Sequence, residues 1–421
     1  MYINLAPIYF LHIPKTAGTT VRVWLREIVG ADEYFEEDYP DRLSSDPRLS
    51  ARNWRMYLGH LGWGLPELCA NVAVVTFLRE PTDLYRSMLE YVTTMNFNQM
   101  PAHIKLLERA QQMRKVVENT GACDVLKSEF FQGHFSNSMV RNITDGLDYL
   151  DRRPRRISET DLDLAKQRLK RMSVVGLVEK MDWSSAIFAD AFRLPVRPFT
   201  LRLNKTEKRS AVPPGWKDAV AEANAFDVEL YEYSRSLFEI KQQGILERYG
   251  FSNSADASAL EPFLRSAFVS EHRGVAPFAT LRVDSSSDVM MTGFHFRFRH
   301  NGRWLRWSGP GPVSRIYLPL DPTSARVVRF DVIYAQSETI RTGLKISVNG
   351  TRLDVRLRLR REISDAITAY EFAIPKSLMR DRSCFTEIEI EAPETVLMPN
   401  FQLGDERTNR SAFALGQIEV T

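Results

Sequence analysis

Ile8-Tyr9-Phe10-Leu11-His12-Ile13-Pro14-Lys15-Thr16-Ala17-Gly18-Thr19-Thr20 is the stretch on which the reading of this chain turns. Its first six residues form an apolar, aromatic-rich run of strand length. Pro14 to Thr20 reads as a tight turn rich in hydroxyls. Beyond it Val21, Trp24, Leu25 and Ile28 fall at the i, i+3, i+4, i+7 spacing of a buried helix face, while Arg22, Arg26 and Glu27 point elsewhere. Strand, short loop and helix in this order set a helix N-terminus against the loop. Backbone amides without intrahelical acceptors and the positive end of the helix dipole favour an anion there, phosphate above all. Ala17 and Gly18 let the backbone come close to it. Thr16, Thr19 and Thr20 add hydroxyl donors, and Lys15 adds a full charge.

This is not the Walker A loop of ATPases, which needs Gly-x-x-x-x-Gly-Lys-Ser/Thr. Here the lysine precedes the only glycine of the loop and follows a proline. The string His12 to Thr20 resembles instead the 5′-phosphosulfate loop of sulfotransferases, in particular the group similar to heparan sulfate 2-O-sulfotransferases and their bacterial relatives. The resemblance implies 3′-phosphoadenosine 5′-phosphosulfate (PAPS) as donor. It also implies an α/β fold: a P-loop-NTPase-like parallel sheet with flanking helices. It covers roughly residues 5 to 250 and is strongest at its two phosphate motifs.

The second motif follows Val72 to Leu78, a continuous apolar run of the kind expected for a parallel strand covered on both faces. The run stops at Arg79-Glu80-Pro81, and a helix is predicted from about Thr82, with Ser87 two turns along it. Ligands of open parallel sheets bind at that end of the strands. The pair Arg79 and Ser87 fits the sulfotransferase pattern for gripping the 3′-phosphate, and a guanidinium fork suits phosphate.

Between the two motifs, Trp54 to Leu58 reads as a short strand ending in Gly59-His60-Leu61-Gly62-Trp63-Gly64. His60 is the candidate general base, because imidazole accepts and sheds a proton near neutral pH. The resembling family has a His-Gly-His element at this place; here it is Leu58-Gly59-His60, and the first histidine is absent. Glu67 is the fallback base, and His12, in the strand body, is expected to be a packed residue. Sulfuryl transfer also needs charge stabilised on the departing 5′-phosphate, a task for Lys15 and the amides of the turn. No metal is implied.

Further along, the stretch Gly133 to Asn142 corresponds to the acceptor cleft of the family, which makes Asn137 and Arg141 candidates to touch the acceptor. Asp151 to Arg156 is a basic run, read as a solvated linker before a helix opened by Ser158-x-x-Asp161. Ser173 to Val178 reads as a strand, Trp183 to Phe192 and 217 to 243 as helices. In the family a loop with the look of Leu203 to Arg209 closes over the nucleotide, which brings in Lys205 and Lys208.

With 421 residues the chain is too long for one ordinary core. Its net charge of +3 does not argue for nucleic acid. Three scattered cysteines make neither a metal cluster nor a disulfide framework. No apolar run reaches the length of a membrane span, and the first apolar run leads straight into the phosphate loop. Together these read as a cytoplasmic, bacterial protein. Ser252 to Leu260, small and polar, is expected to be a linker, dividing the chain into 1–251 and 261–421. After it, Phe294 to Arg299, Val328 to Val332, Leu344 to Val348 and Glu387 to Glu391 alternate, with hairpin turns at Asn301-Gly302 and Asn349-Gly350. The expectation is an antiparallel, jelly-roll-like β-sandwich, loosely similar to modules appended to bacterial carbohydrate-active enzymes. Trp304 and Trp307 are candidates to stack on sugars or to pack in its core. The expected activity is PAPS-dependent sulfation of a carbohydrate or polysaccharide hydroxyl. The alternatives are an ATP- or GTP-dependent kinase or NTPase, with Glu80 as its nearest metal-binding acid, and a non-enzymatic glycan-binding protein.

Overall fold

Five short strands build a parallel sheet: β1 (Ile8–Leu11), β2 (Tyr34–Glu36), β3 (Met56–Gly59), β4 (Ala73–Leu78) and β5 (Val174–Leu177), in the order β2-β3-β1-β4-β5. The computed structural model describes residues 6–30, 32–37, 46–51, 54–69, 71–94, 104–145, 154–195, 213–252, 256–271, 277–361, 366–379, 385–398 and 410–421. Every residue of β1, β3 and β5 is buried, as the unbroken apolar runs require of strands covered on both faces. β1 is central. Its last residue Leu11 pairs with Gly59 of β3 on one side and Thr76 of β4 on the other. The segments that leave β1, β3 and β4 therefore emerge at one end of the sheet, where ligands of such sheets bind.

Helix α1 (Gly18–Arg26) follows β1 and buries Val21, Trp24 and Leu25, the expected face. The helix Pro81–Thr94 follows β4 and buries Leu84, Tyr85 and Met88. The predicted capping box is present: Ser158 Oγ accepts from the Asp161 amide, and the Asp161 carboxylate accepts from the Ser158 amide. Arg155 of the basic run pairs with Asp145 and Asp161, and Arg156 with Glu129.

Three elements differ from expectation. Tyr34–Glu36 is an edge strand, whereas residues 31 to 50, acidic and then turn-rich, read as a loop or a short helix. The long helix is two, Trp216–Ala223 and Ala225–Tyr249. They part at Asn224, whose side chain accepts from the Asn137 amide. The third departure lies within the expected linker Ser252 to Leu260. Asp256 caps the turn Ala257–Leu260, whose Ala257 and Leu260 are buried, and a helix Glu261–Glu271 continues it.

Among the described residues, the C-terminal strands form a short pair, Val396–Leu397 with Arg410–Ser411, and two large antiparallel sheets. One runs Thr351–Leu353, Lys345–Val348, Thr386–Glu391, Val313–Leu318, Met291–Thr292. The other runs Arg356–Arg361, Ala366–Ile374, Arg326–Ala335, Phe413–Val420, Arg303–Ser308, Phe294–His300, with Leu281–Val283 also on Phe413–Val420. Both predicted hairpin turns adopt positive φ at Asn and Gly, 48° and 78° at 301–302 and 47° and 83° at 349–350. Val328 and Phe330 of one sheet and Ile346 and Ile388 of the other lie in the same apolar core, which is continuous with that of the parallel sheet. Trp307 stacks between Phe298 and Tyr334, with ring centroids 6.4 and 6.2 Å away.

Candidate active site

The loop between β1 and α1 is shaped by two residues in the left-handed region, Lys15 at φ 67° and Ala17 at φ 61°. Non-glycine residues rarely adopt this conformation, and backbone in which left-handed and right-handed residues alternate turns its amides into an anion-binding concavity. Ala17 is the N-cap of α1 and supplies no side-chain cap; the Val21 amide bonds back to Ala17 O at 3.1 Å. The amides of Gly18, Thr19 and Thr20 precede it. Thr16 departs from expectation. Both its amide and its hydroxyl return to Ile13 O, the latter at 2.8 Å, so it closes the turn instead of offering donors outward.

Two cations converge on this loop. Arg79, just past β4, donates from Nη1 to Lys15 O at 3.1 Å and so fastens the strained position. The Lys15 ammonium lies over the Tyr91 ring, 3.9 Å from its centroid. Burial, reinforced by Arg79 and opposed by Glu90, holds the Lys15 pKa below that of an ordinary lysine. Ser87 is half-buried on the helix Pro81–Thr94, two turns from Arg79 as its spacing predicts.

His60 stands at the end of β3. Its Nδ1 is 2.9 Å from the carbonyl oxygen of His12, and the two imidazole rings stack at 4.0 Å. A carbonyl only accepts, so Nδ1 is the protonated nitrogen and neutral His60 has its lone pair at Nε2. The Tyr9 hydroxyl, donating to Gly62 O at 2.8 Å, fixes the segment that follows. His12 is buried, as expected, but it is more than packing. Its ring lies where a side chain on residue 18 would go: a Cβ there would fall 1.4 Å from His12 Nε2. Its Nδ1 is buried without a hydrogen-bond partner among the described residues. Burial, with His60, Arg22 and Lys15 adding to it, pushes its pKa well below the usual histidine range, so the ring is neutral. The presence of a histidine two residues before Pro14 was the available sign of this role. Its stacking on His60 depends on β1 pairing with β3.

A phosphate ester fits this arrangement. The amides ahead of Val21, the Lys15 side chain and Arg79 all belong to this loop or bond to it, and the loop carries no acidic side chain.

The remaining candidates lie elsewhere. Glu67 is mostly exposed and faces Arg168 at 3.7 Å. Glu80 caps the helix Pro81–Thr94, accepting from the Asp83 amide at 2.9 Å and the Thr82 hydroxyl at 2.8 Å, which occupies the acid that a kinase reading would give to a metal. Asn137 and Arg141 are buried and correct the expectation of acceptor contacts. Asn137 Oδ1 accepts from the Asp227 amide, and the Arg141 guanidinium donates to the carbonyls of Ser136, Gln132 and Arg155. Both hold backbone together. Burial brings the Arg141 pKa down to about 10, so it stays charged. Lys205 and Lys208 lie outside the described residues.

Over 97 residues the chain is 37% identical to heparan-sulfate 6-O-sulfotransferase 2 of Danio rerio. That stretch is 23% of this chain and 19% of the relative, so the chain spans about a fifth of that protein's length. No protein-family profile matches the chain. Among solved structures, a family 35 carbohydrate binding module from Clostridium thermocellum aligns with 34% of this chain and 98% of its own, at 10% identity and a TM-score of 0.20. A superposition that loose fixes neither fold nor function. No described helix is long and apolar enough to cross a membrane.

Proposed function

We propose that this protein is a PAPS-dependent sulfotransferase acting on a hydroxyl of a carbohydrate or polysaccharide, with residues 1–251 as its transferase unit. One observation carries the reading: His60, a histidine with its lone pair at Nε2, is fastened to His12 O, in the segment that joins β1 to the phosphate loop. A base and a phosphate cradle thus share one rigid support. The partial likeness to a sulfotransferase supports the same chemistry.

PAPS, when bound, supplies the sulfuryl group and its leaving adenosine 3′,5′-bisphosphate. The amides of Gly18 to Thr20 and the Lys15 ammonium hold the 5′ side, where charge develops on the bridging oxygen as the phosphate–sulfate anhydride bond to sulfur breaks. Arg79 and Ser87 hold the 3′-phosphate, and Lys205 and Lys208 are proposed to cover the nucleotide. His60 Nε2 takes the proton of the attacking acceptor hydroxyl, and the neutral His12 behind it adds no second positive charge to the imidazolium that forms.

The test is calorimetric titration with adenosine 3′,5′-bisphosphate, AMP and ATP. Binding of the bisphosphate that Arg79→Ala weakens, with AMP bound far more weakly, is the expected result. ATP binding that needs Mg²⁺, with no binding of the bisphosphate, would sink the proposal.

A further inference from the structure

The two elements that carry the site, α1 and β3, are each held at their far end by the C-terminal sandwich. At the C-terminus of α1, Arg297 of the strand Phe294–His300 donates from Nη2 to Arg26 O at 2.8 Å and Val29 O at 2.6 Å. Arg306 of the neighbouring strand Arg303–Ser308 donates to Glu27 O at 3.3 Å. The Glu27 carboxylate lies between them, 3.5 Å from Arg297 Nε and 3.1 Å from Arg306 Nη2, and accepts from the Arg297 amide at 3.2 Å. Both guanidinium side chains are almost wholly buried, at 6% and 3% exposure. At the start of β3, Arg55 forms a buried ion pair with Asp288, from the sandwich segment that precedes Met291–Thr292, and a second pair with Glu33 at 2.8 Å.

We propose that the sandwich sets the register between phosphate loop and base, with Arg297, Arg306 and Asp288 as positioning residues for the sulfuryl-transfer site; this rests on the reading of that site given above. The lever is short and stiff. α1 has nine residues, about 14 Å at the helical rise, with the loop at one end and two arginines at the other. β3 has four residues, with Arg55 just before the first and His60 just after the last. Orphan carbonyls at a helix C-terminus are satisfied here by cations, which also favour the dipole whose positive end faces the loop. One carboxylate between two buried guanidinium groups leaves little tolerance. Removing it sets two like charges against each other, and removing either arginine strands a buried charge or a buried carbonyl. Docking and site geometry are therefore coupled through two rigid elements.

The experiment uses the full chain with Glu27→Gln, Arg306→Lys and Asp288→Asn, and Arg282→Ala as a control on an exposed sandwich pair. Backbone hydrogen exchange is measured well below the unfolding transition, together with affinity for adenosine 3′,5′-bisphosphate and the split between kcat and KM. Amides 16–20 and 59–62 are expected to exchange about tenfold faster in the first three variants. Bisphosphate binding should weaken about fivefold or more, kcat should fall more than the acceptor KM changes, and Arg282→Ala should behave as wild type. Faster exchange confined to 26–30 and 284–308, with the loop and His60 segments unmoved, overturns the proposal. Should the wild type not bind the bisphosphate, the donor-site reading is what fails, and the exchange pattern still decides the clamp. Should one variant not fold, the other two give the same readout.

Discussion

Gly18 and Gly59 show how narrowly single residues are specified at this site. A Cβ on Gly18 would fall within the His12 ring. Gly59 has φ 144°, and a Cβ there would lie 1.7 Å from Glu37 O, a backbone atom that cannot step aside. Gly18→Ala is therefore expected to displace His12 and with it His60, lowering turnover by an order of magnitude or more while the chain stays folded. His60→Ala should lower turnover about 10²- to 10⁴-fold and leave bisphosphate affinity nearly unchanged, since the lost group moves a proton and holds no phosphate; equal turnover in the variant would remove His60 from the mechanism. Lys15 gives a pH dependence with a definite sign. Its pKa is held down by burial and Arg79, so its charge is lost at lower pH than that of a free lysine. Bisphosphate binding should weaken as pH rises through that lowered value. Lys15→Arg should move the alkaline limb to higher pH, because guanidinium keeps its proton. A limb that stays in place would assign it to another group.

Among the elements, the helix Ser138–Thr144 owes its place to tertiary partners. Asn137, its N-cap, sits at φ 50° with no capping bond of its own. The Asp227 carboxylate, from the helix Ala225–Tyr249, accepts from the Met139 and Val140 amides at 3.0 Å, and from the Tyr85 hydroxyl at 2.6 Å. Tyr85 in turn accepts from the Ser138 amide at 2.8 Å. Burial lifts the Asp227 pKa to about 6 despite these donors, so the group is still ionised at neutral pH. Tyr85→Phe removes one donor and strands the Ser138 amide. The expected cost is about 1–3 kcal/mol in denaturant unfolding, with bisphosphate binding intact; a neutral substitution would mean that water replaces the hydroxyl. This network was hidden in the sequence because Tyr85, Asn137 and Asp227 are far apart along the chain. Each alone reads as an ordinary helix or loop residue. Helix α1, by contrast, was legible because its apolar residues repeat at the helical period, and strands β1 and β4 because each is an unbroken apolar run of strand length. The edge strand Tyr34–Glu36, three residues long with one buried, is too brief to show any period.

At the scale of the whole molecule, the sandwich shares an apolar core with the parallel sheet and exchanges buried ion pairs with α1 and the start of β3. The intact chain should therefore unfold in one cooperative transition, with the same midpoint by tryptophan fluorescence and by far-ultraviolet circular dichroism. Two resolved transitions would show that the units are held together weakly. The polar stretch from Ser252 suggested a break because small polar residues resemble a linker. Its buried Ala257 and Leu260 alternate with exposed serine and alanine over too few residues to be told from one by composition.

From the sequence by itself come the strand-loop-helix at Ile8 to Ile28, the second strand with Arg79 behind it, the alternation of the C-terminal strands, and Lys15 and His60 as candidates. Each is local, carried by residues within a few positions of one another, and local periodicity and turn chemistry suffice to read it. The tertiary structure alone decided that His12 backs His60, that Asn137 fastens backbone against Asn224 and Asp227, and that Arg297 and Arg306 reach the end of α1. Those are contacts between residues tens to hundreds of positions apart. They exist only once strand order and docking have brought the elements together, and no periodicity along the chain encodes which distant partner a buried polar group will find.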